Sequence, residues 1–484
     1  MAPRLPSLRP PAAFAGTDPQ VGSLVGLLAA GTALLTLVAA LAVGVMGLVL
    51  PLAVAGLLAC VRWPAVPVGL LLFLGVVVDQ VVGAGRGPLS LQLYSGIGGF
   101  SPFELLVYLS VGCVTLDCVR RRRLPPIPWE IGAALILLAV AFVTGSVVGY
   151  FAGAGIGAQI DGWRNVLPMI VAVPLVAAVL PSDRVRPVLV VAAVLTIVKA
   201  LTAVALTAAN GGGIDGIVFY EVTANWMFLL YLLVVFAAWV KGASLPWWVW
   251  AAVPLVTVAF VVGLKRSLWL GGVVGLAMVL VIGLSRLGRR LAAPAVVVAG
   301  ALVWILLSSG INVTLQGPVG ERVSSLDPSS LQSNAQDRYR LDERANVWAE
   351  LKRQPLTGLG QGVEWRAVYP LGIEHEDARN YVHNAVMWFW MKYSLLGALG
   401  YIALMLAATI VGVRVSRRHA VPQIAAVGLG TAGAIVSLAV AEVAGTWTGA
   451  DSRFTLILGA VIGVLAVTDR ASARAPDPAV AGDG

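Results

Sequence analysis

Charge is what this sequence has least of. Only 12% of its 484 residues are Asp, Glu, Lys or Arg, where a soluble domain carries about 25%. Residues 21–60 contain no charged side chain. A chain this poor in charge cannot cover a water-facing surface, which excludes a soluble globular enzyme and a disordered chain. Cysteine is scarce: Cys60, Cys113 and Cys118 all fall in apolar runs, which excludes a disulfide framework and offers no zinc-ligand spacing. Histidine is as scarce, with only His375, His383 and His419. The apolar–polar alternation of a membrane β-barrel is absent. No short apolar run ends in a small-residue cleavage site, so the first run is expected to remain a span rather than be removed as a signal peptide.

What is present is a 59% hydrophobic chain whose apolar residues form continuous runs of about 20, the length that crosses a bilayer as a helix. Runs bounded by charge, Pro or Gly predict helices near 22–41, 43–61, 65–82, 101–119, 129–150, 164–181, 187–208, 223–240, 245–264, 267–284, 292–310, 395–413, 421–444 and 453–468. The expected fold is therefore an all-α integral membrane protein of about 12–14 transmembrane helices. Its expected organisation is a disordered N-terminus at 1–18, spans over 19–310, an external loop at 311–394, further spans over 395–468 and a disordered tail at 469–484.

The net charge is +9, from 33 Lys and Arg against 24 Asp and Glu. These basic residues sit in short clusters between apolar runs and form no continuous patch, so no nucleic acid partner is expected. With the N-terminus in the cytoplasm, alternation puts most short-loop arginines and lysines inside, including Arg120 to Arg123, Arg184, Arg186, Lys241, Arg414, Arg417 and Arg418. That asymmetry predicts a multi-pass protein of the cytoplasmic membrane with both termini cytoplasmic.

The loop at 311–394 is polar and far longer than a structureless connection normally is, so the chemistry is expected there, at the outer membrane–water boundary. Leu341, Ala345, Trp348 and Leu351 recur at helical spacing and Pro355 ends the run. Arg340, Arg344 and Val347 lie along a neighbouring face. A second helix is expected from Asp377 as N-cap through Tyr393, with Met387, Trp388, Phe389, Trp390 and Met391 at headgroup level and Asn380, His383 and Asn384 sharing one side.

His383 is the candidate catalytic residue, because imidazole, with an unperturbed pKa of about 6.5, accepts protons near neutrality. Lys265 and Arg266 are adjacent cations in a turn on the outer side, against the charge trend, and suit an anion such as a lipid diphosphate. Arg344, Arg340, Arg379 and Asn384 complete the candidate substrate-binding set. The run Gly358-Leu-Gly-Gln-Gly362 lacks the Gly-Lys-Ser/Thr ending of a phosphate loop and reads as a helix stop and turn. Glu374, His375, Glu376 and Asp377 near His383 lack His-Glu-x-x-His spacing, so no metal and no cofactor are expected. The pattern at Asn312 matches a glycosylation acceptor only at chance frequency.

Three stretches resemble the O-antigen ligase and polymerase family of bacterial membrane proteins: "VGLKRSLWLGGVVGL", "RANVWAELKRQPLTGLGQG" and "HNAVMWFWMKYSLLGALGY", in the family's order and flanking one long external loop. Together they cover about residues 262–402. The resemblance implies a fold akin to the multispan transferases that use lipid-linked sugars. It implies a glycosyltransferase of polysaccharide biosynthesis in the cell envelope, moving a glycan from a polyprenyl diphosphate carrier to a glycan or glycolipid acceptor. It also implies that His383 is the essential histidine and that Arg266 and Arg344 hold the diphosphate. Two other classes compete. A transporter would use charges within or near spans, such as Lys199 and Glu442, with Glu104 a further example; a non-catalytic envelope scaffold would bind carrier and transfer nothing.

Overall fold

The computed structural model describes residues 49–78, 101–209, 222–263, 265–284, 335–369 and 379–474. The expected spans at 22–41 and 292–310 lie outside the described residues, as do Asn312, the Glu374–Asp377 cluster with His375, and the ends at 1–18 and 475–484. The chain divides into two compact units, 1–66 and 67–484. Of the first, the described part is α1 (Val49–Arg62) and the start of α2 (Ala65–Val77).

The larger unit continues with α3 (Pro102–Arg121), α4 (Trp129–Phe151), α5 (Ile156–Val179), a 3-10 turn at Ser182–Arg184, α6 (Val185–Ala209) and α7 (Val222–Val240). There follow α8 (Trp247–Ala251), α9 (Val253–Val262), α10 (Arg266–Gly283), α11 (Ala335–Arg353), α12 (Ala385–Arg418), α13 (Pro422–Ala441) and α14 (Ser452–Arg474). Among the described residues there is no strand, and nine helices are long and apolar enough to cross a membrane. The protein is an all-α integral membrane protein. The span expected at 245–264 is broken: Pro254 begins a second helix, α9, after the five-residue α8. The tail expected to be disordered from 469 is helical to Arg474, because Arg414 grips Asp469 through Nε (2.8 Å) and Nη2 (2.7 Å).

α7, α13 and α14 are enclosed by the other helices, while α6 and α10 lie at the periphery. Where the hydrophobic effect is weak, as in lipid, helices associate through small residues that let backbones approach. Here a Cβ on Gly271 of α10 would lie 2.1 Å from the Ser437 carbonyl oxygen of α13, and one on Gly275 would lie 2.0 Å from Ser437 Oγ. These contacts set α10 and α13 antiparallel and bring the first turn of α10 beside the last turn of α13.

The bundle has two chemically distinct ends. At one, Arg414 also pairs with Glu130, and Lys241 Nζ donates to the Ser416 carbonyl at 3.3 Å. The chain places the basic clusters 120–123, 184–186 and 414–418 at that same end. At the other end, Arg164 pairs with Glu104 at 2.5 Å, and Ser101 and Glu104 form a capping box that starts α3. Glu104 is thus committed to an ion pair and a cap. The second end carries α11 and the segment before α12.

Candidate functional site

α11 turns an unexpected face inward. Of the periodic set Leu341, Ala345, Trp348 and Leu351, only Leu351 is buried, whereas Leu341 is 48% and Trp348 44% exposed, and Ala345 is exposed as well. The buried stripe is Tyr339, Glu343, Asn346, Val347, Glu350 and Leu351. Polar groups go inward because each meets a partner. Asn346 Oδ1 accepts from the Val368 and Tyr369 backbone N–H groups, both at 2.6 Å, and its Nδ2 donates to the Tyr369 carbonyl at 3.1 Å. Trp348 meets Trp390 edge-on at 5.8 Å between ring centroids, with Lys352 Nζ 5.8 Å from the Trp348 ring.

The turn after α11 is structural. Gly358, Gly360 and Gly362 have φ of 63°, 96° and 78°, conformations glycine tolerates. Its backbone donors are spent within the protein: Leu359 and Gly360 on the Met391 carbonyl at 2.8 and 3.1 Å, and Gln361 on the Gly145 carbonyl at 2.9 Å. The turn seats on α4 because Gly149 has no side chain; a Cβ there would lie 2.1 Å from the Gln361 carbonyl oxygen.

The second loop helix starts later than its sequence pattern suggests. Asp377 lies outside the described residues, and 379–384 are turn and coil. The N-cap is Asn384, whose Oδ1 accepts from Met387 N–H at 2.9 Å. Asn384 Nδ2 also donates to the Val443 carbonyl at 3.2 Å, so Asn384 is engaged as cap and tether. Asn380, His383 and Asn384 therefore do not share a helix face. Trp388, Phe389 and Met391 are buried in the core instead of lying at headgroup level. α12 runs 34 residues, interrupted by non-helical backbone at Tyr393 and Ser394. The kink separates a short buried segment from the span expected at 395–413.

The coil 379–384 is held from two sides. From α13 and its following loop, Ala385 N–H donates to the Glu442 carbonyl at 3.0 Å, and Thr446 Oγ1 donates to the Val382 carbonyl at 2.5 Å. Tyr381 Oη donates to the Thr446 carbonyl (2.8 Å) and accepts from its N–H (3.1 Å). Burial raises the Tyr381 pKa, so the hydroxyl stays a donor. Its ring packs edge-on against the His383 imidazole at 5.0 Å.

From α11, Arg344 donates to the His383 carbonyl through Nε (3.2 Å) and Nη2 (2.8 Å). Burial pushes the Arg344 pKa below the ordinary arginine value, the Glu343 carboxylate opposes that, and Arg340 one turn away adds to it. Glu343, fully buried, has Oε2 2.7 Å from the His383 backbone nitrogen and 2.9 Å from His383 Nδ1. Tyr339, on the same face as Glu343, has its pKa raised first by burial and then by Glu343, while Arg379 lowers it. Arg340, Arg344, Arg379 and His383 thus gather at one place. Arg266 begins α10, and the α10–α13 register carries it to the same end of the bundle as Glu442 and Ala385. Lys265 is its N-cap, accepting from Leu268 and Trp269 N–H at 2.9 and 3.1 Å. Asn225 of α7 fills the space against Gly263 just before them.

Glu343 is the residue that sequence reasoning missed. Its local sequence does not distinguish it from Asp342 and Glu350 on the same helix. Of the transporter candidates, Lys199 lies on peripheral α6. Glu442 is fully buried: Oε1 accepts from Trp447 and Thr448 N–H at 3.1 and 2.8 Å, and Oε2 shares a hydrogen bond with the Tyr401 hydroxyl. Both its oxygens are committed to structure.

The fold defines a multi-pass membrane protein that brings Arg344, Glu343 and His383 into contact at one end of the bundle. Residues 250–402, which include Arg266, Arg344 and His383, match the O-antigen ligase family. That match bears out the resemblance drawn over 262–402 and supports an O-antigen ligase/polymerase-type membrane protein. No curated protein matches the chain.

Proposed function

We propose that the protein transfers a glycan from a polyprenyl diphosphate carrier to an acceptor hydroxyl at the outer face of the cytoplasmic membrane. The observation that most supports this reading is the contact of Arg344 with His383 across 39 residues of chain, at the end of the bundle that also receives Arg266. Sugar C1 on a diphosphate is already activated. The protein must place the acceptor and neutralise charge as it develops on the leaving group. Arg266 and Arg344 hold the diphosphate, with Lys265, Arg340 and Arg379 adding positive charge around it. His383 takes the proton of the acceptor hydroxyl, or orients that hydroxyl. The acceptor oxygen bonds to C1 as the C1–O bond breaks, and that electron pair leaves with the diphosphate, inverting the configuration at C1. Guanidinium charge supplies the electrostatic stabilisation without a metal ion.

The test is an in vitro assay of purified protein with a polyprenyl diphosphate-linked oligosaccharide and two acceptors. One acceptor is a second carrier-linked glycan, the other a glycolipid without carrier. Transfer to the first marks a polymerase, transfer to the second a ligase. His383→Ala is expected to lose about 100-fold or more in turnover, the scale of general acid–base catalysis. Near-normal turnover of His383→Ala would overturn the assignment.

A further inference from the structure

We propose that Glu343 is the positioning residue of this site: its buried carboxylate holds His383 in the tautomer protonated at Nδ1, leaving Nε2 as the basic atom. The inference rests on the reading of His383 just given, and three observations carry it.

The first is geometric. One oxygen, Oε2, faces both the backbone nitrogen of His383 at 2.7 Å and the ring Nδ1 at 2.9 Å. A carboxylate only accepts, so the ring atom facing it carries the hydrogen. The main-chain bond fixes where the ring begins, and the ring bond fixes how it is turned.

The second is the gradient of exposure along the pair. The Glu343 side chain is 0% exposed and that of His383 27%. The carboxylate thus approaches the imidazole from the closed interior, and the open side belongs to the rest of the ring. Tyr381, packed edge-on and locked by its two bonds to Thr446, blocks rotation.

The third is a cost that tethering alone does not explain. Among the described residues Glu343 Oε1 is buried without a hydrogen-bond partner, and burying such an oxygen is unfavourable. An amide would tie the loop equally well. A carboxylate is favoured if its negative charge is used when Nε2 receives the acceptor proton and the ring becomes cationic. Glu343 takes no proton in that step. It stabilises the imidazolium as it forms, so the interaction strengthens on the way to the transition state.

The test uses the full chain in lipid nanodiscs, labelled with [15N]histidine. There are only three histidines, and the His383 ring signals are identified by their loss in His383→Ala. The native ring is expected to show hydrogen on Nδ1. Glu343→Gln, whose amide oxygen still accepts, should keep that signature, and Glu343→Ala should lose it. In the transfer assay Glu343→Gln is expected to lower kcat about 10- to 100-fold with donor KM within about twofold, and Glu343→Ala to lower it further. Hydrogen on Nε2 in the native protein, or an unchanged signature in Glu343→Ala, would overturn the pairing. Unchanged kcat in Glu343→Gln would overturn the role of its charge, and this isosteric variant serves even if the alanine variant fails to fold. The ring signature is read without substrate. If His383→Ala proved fully active, the transfer reading would fail while the tautomer result still judged the pair.

Discussion

Arg344 and His383 meet through the backbone: the guanidinium donates twice to the His383 carbonyl, at 3.2 and 2.8 Å. The arginine therefore holds the histidine's segment in place through Nε and Nη2. In the proposed function Arg266, at the start of α10, acts on the diphosphate alone.

The two arginines should consequently fail differently. Losing a charge-assisted hydrogen bond costs about 1.5–3 kcal/mol. Arg266→Ala is expected to raise donor KM about 10- to 100-fold with a smaller effect on kcat. Arg344→Ala should lower kcat as well as raise KM, since it also releases the His383 carbonyl. Steady-state kinetics with a carrier-linked donor measures the split. A pure KM effect in both variants would remove the positioning role of Arg344.

Glu442 predicts a pH dependence of stability. Burial raises its pKa from the ordinary 4.5 to about 8, with backbone hydrogen bonds from Thr448 and Trp447 opposing the shift. The folded state keeps a proton that the unfolded chain has lost between those values. The stabilisation is complete below about 4.5 and is lost as pH rises through 8. The native Tm should fall between pH 6 and pH 9, and that of Glu442→Gln, neutral throughout, should not. Glu442→Ala strands two buried N–H groups and should cost about 3 kcal/mol at any pH. Thermal unfolding across pH checks all three.

Gly149 is the seat of the loop turn. Gly149→Ala would place a methyl carbon 2.1 Å from the Gln361 carbonyl oxygen, with Gly360 pressed against the same turn of α4. The turn must lift, and a destabilisation of about 2–4 kcal/mol is expected. Activity should fall with it, because the same turn is bonded to the Met391 carbonyl of α12. Gly132→Ala, on the same helix with open space around it, should be neutral. Equal melting temperatures for the two variants would mean that the turn does not rest on α4.

The two ends of the bundle can be assigned to membrane sides by labelling. In a variant lacking Cys60, Cys113 and Cys118, a thiol placed by Arg366→Cys should react with an impermeant maleimide in intact spheroplasts. One placed by Arg418→Cys should react only after lysis. Both positions are exposed, so access to the reagent decides the outcome. The reverse pattern would put the His383 end in the cytoplasm and exclude the proposed reaction.

Among the described residues most of the expected spans coincide with helices, because hydropathy is a local property that a helix in lipid reads residue by residue. The helix that ends before Pro355 was legible too, through periodicity, and ordered motifs singled out His383, Arg344 and Arg266 as candidates. The facing of α11 was not. The usual inference puts apolar residues inward because water lies outside, whereas here Leu341 and Trp348 are exposed and Glu343 and Asn346 find partners within. The start of α12 was misread for a related reason: Asp377 and Asn384 are equally good caps by type, and the choice fell to Asn384, which also tethers to Val443.

The amino-acid sequence by itself determined that this chain lives in a membrane as a helical bundle and that one long stretch between its apolar runs is polar. Only the tertiary structure decided which carboxylate faces His383, which arginine holds its carbonyl, and which polar residues are structural. Burial in lipid follows from the composition of each segment alone. A buried polar side chain is stable only where another part of the chain brings its partner, and that partner is set by packing between elements tens of residues apart.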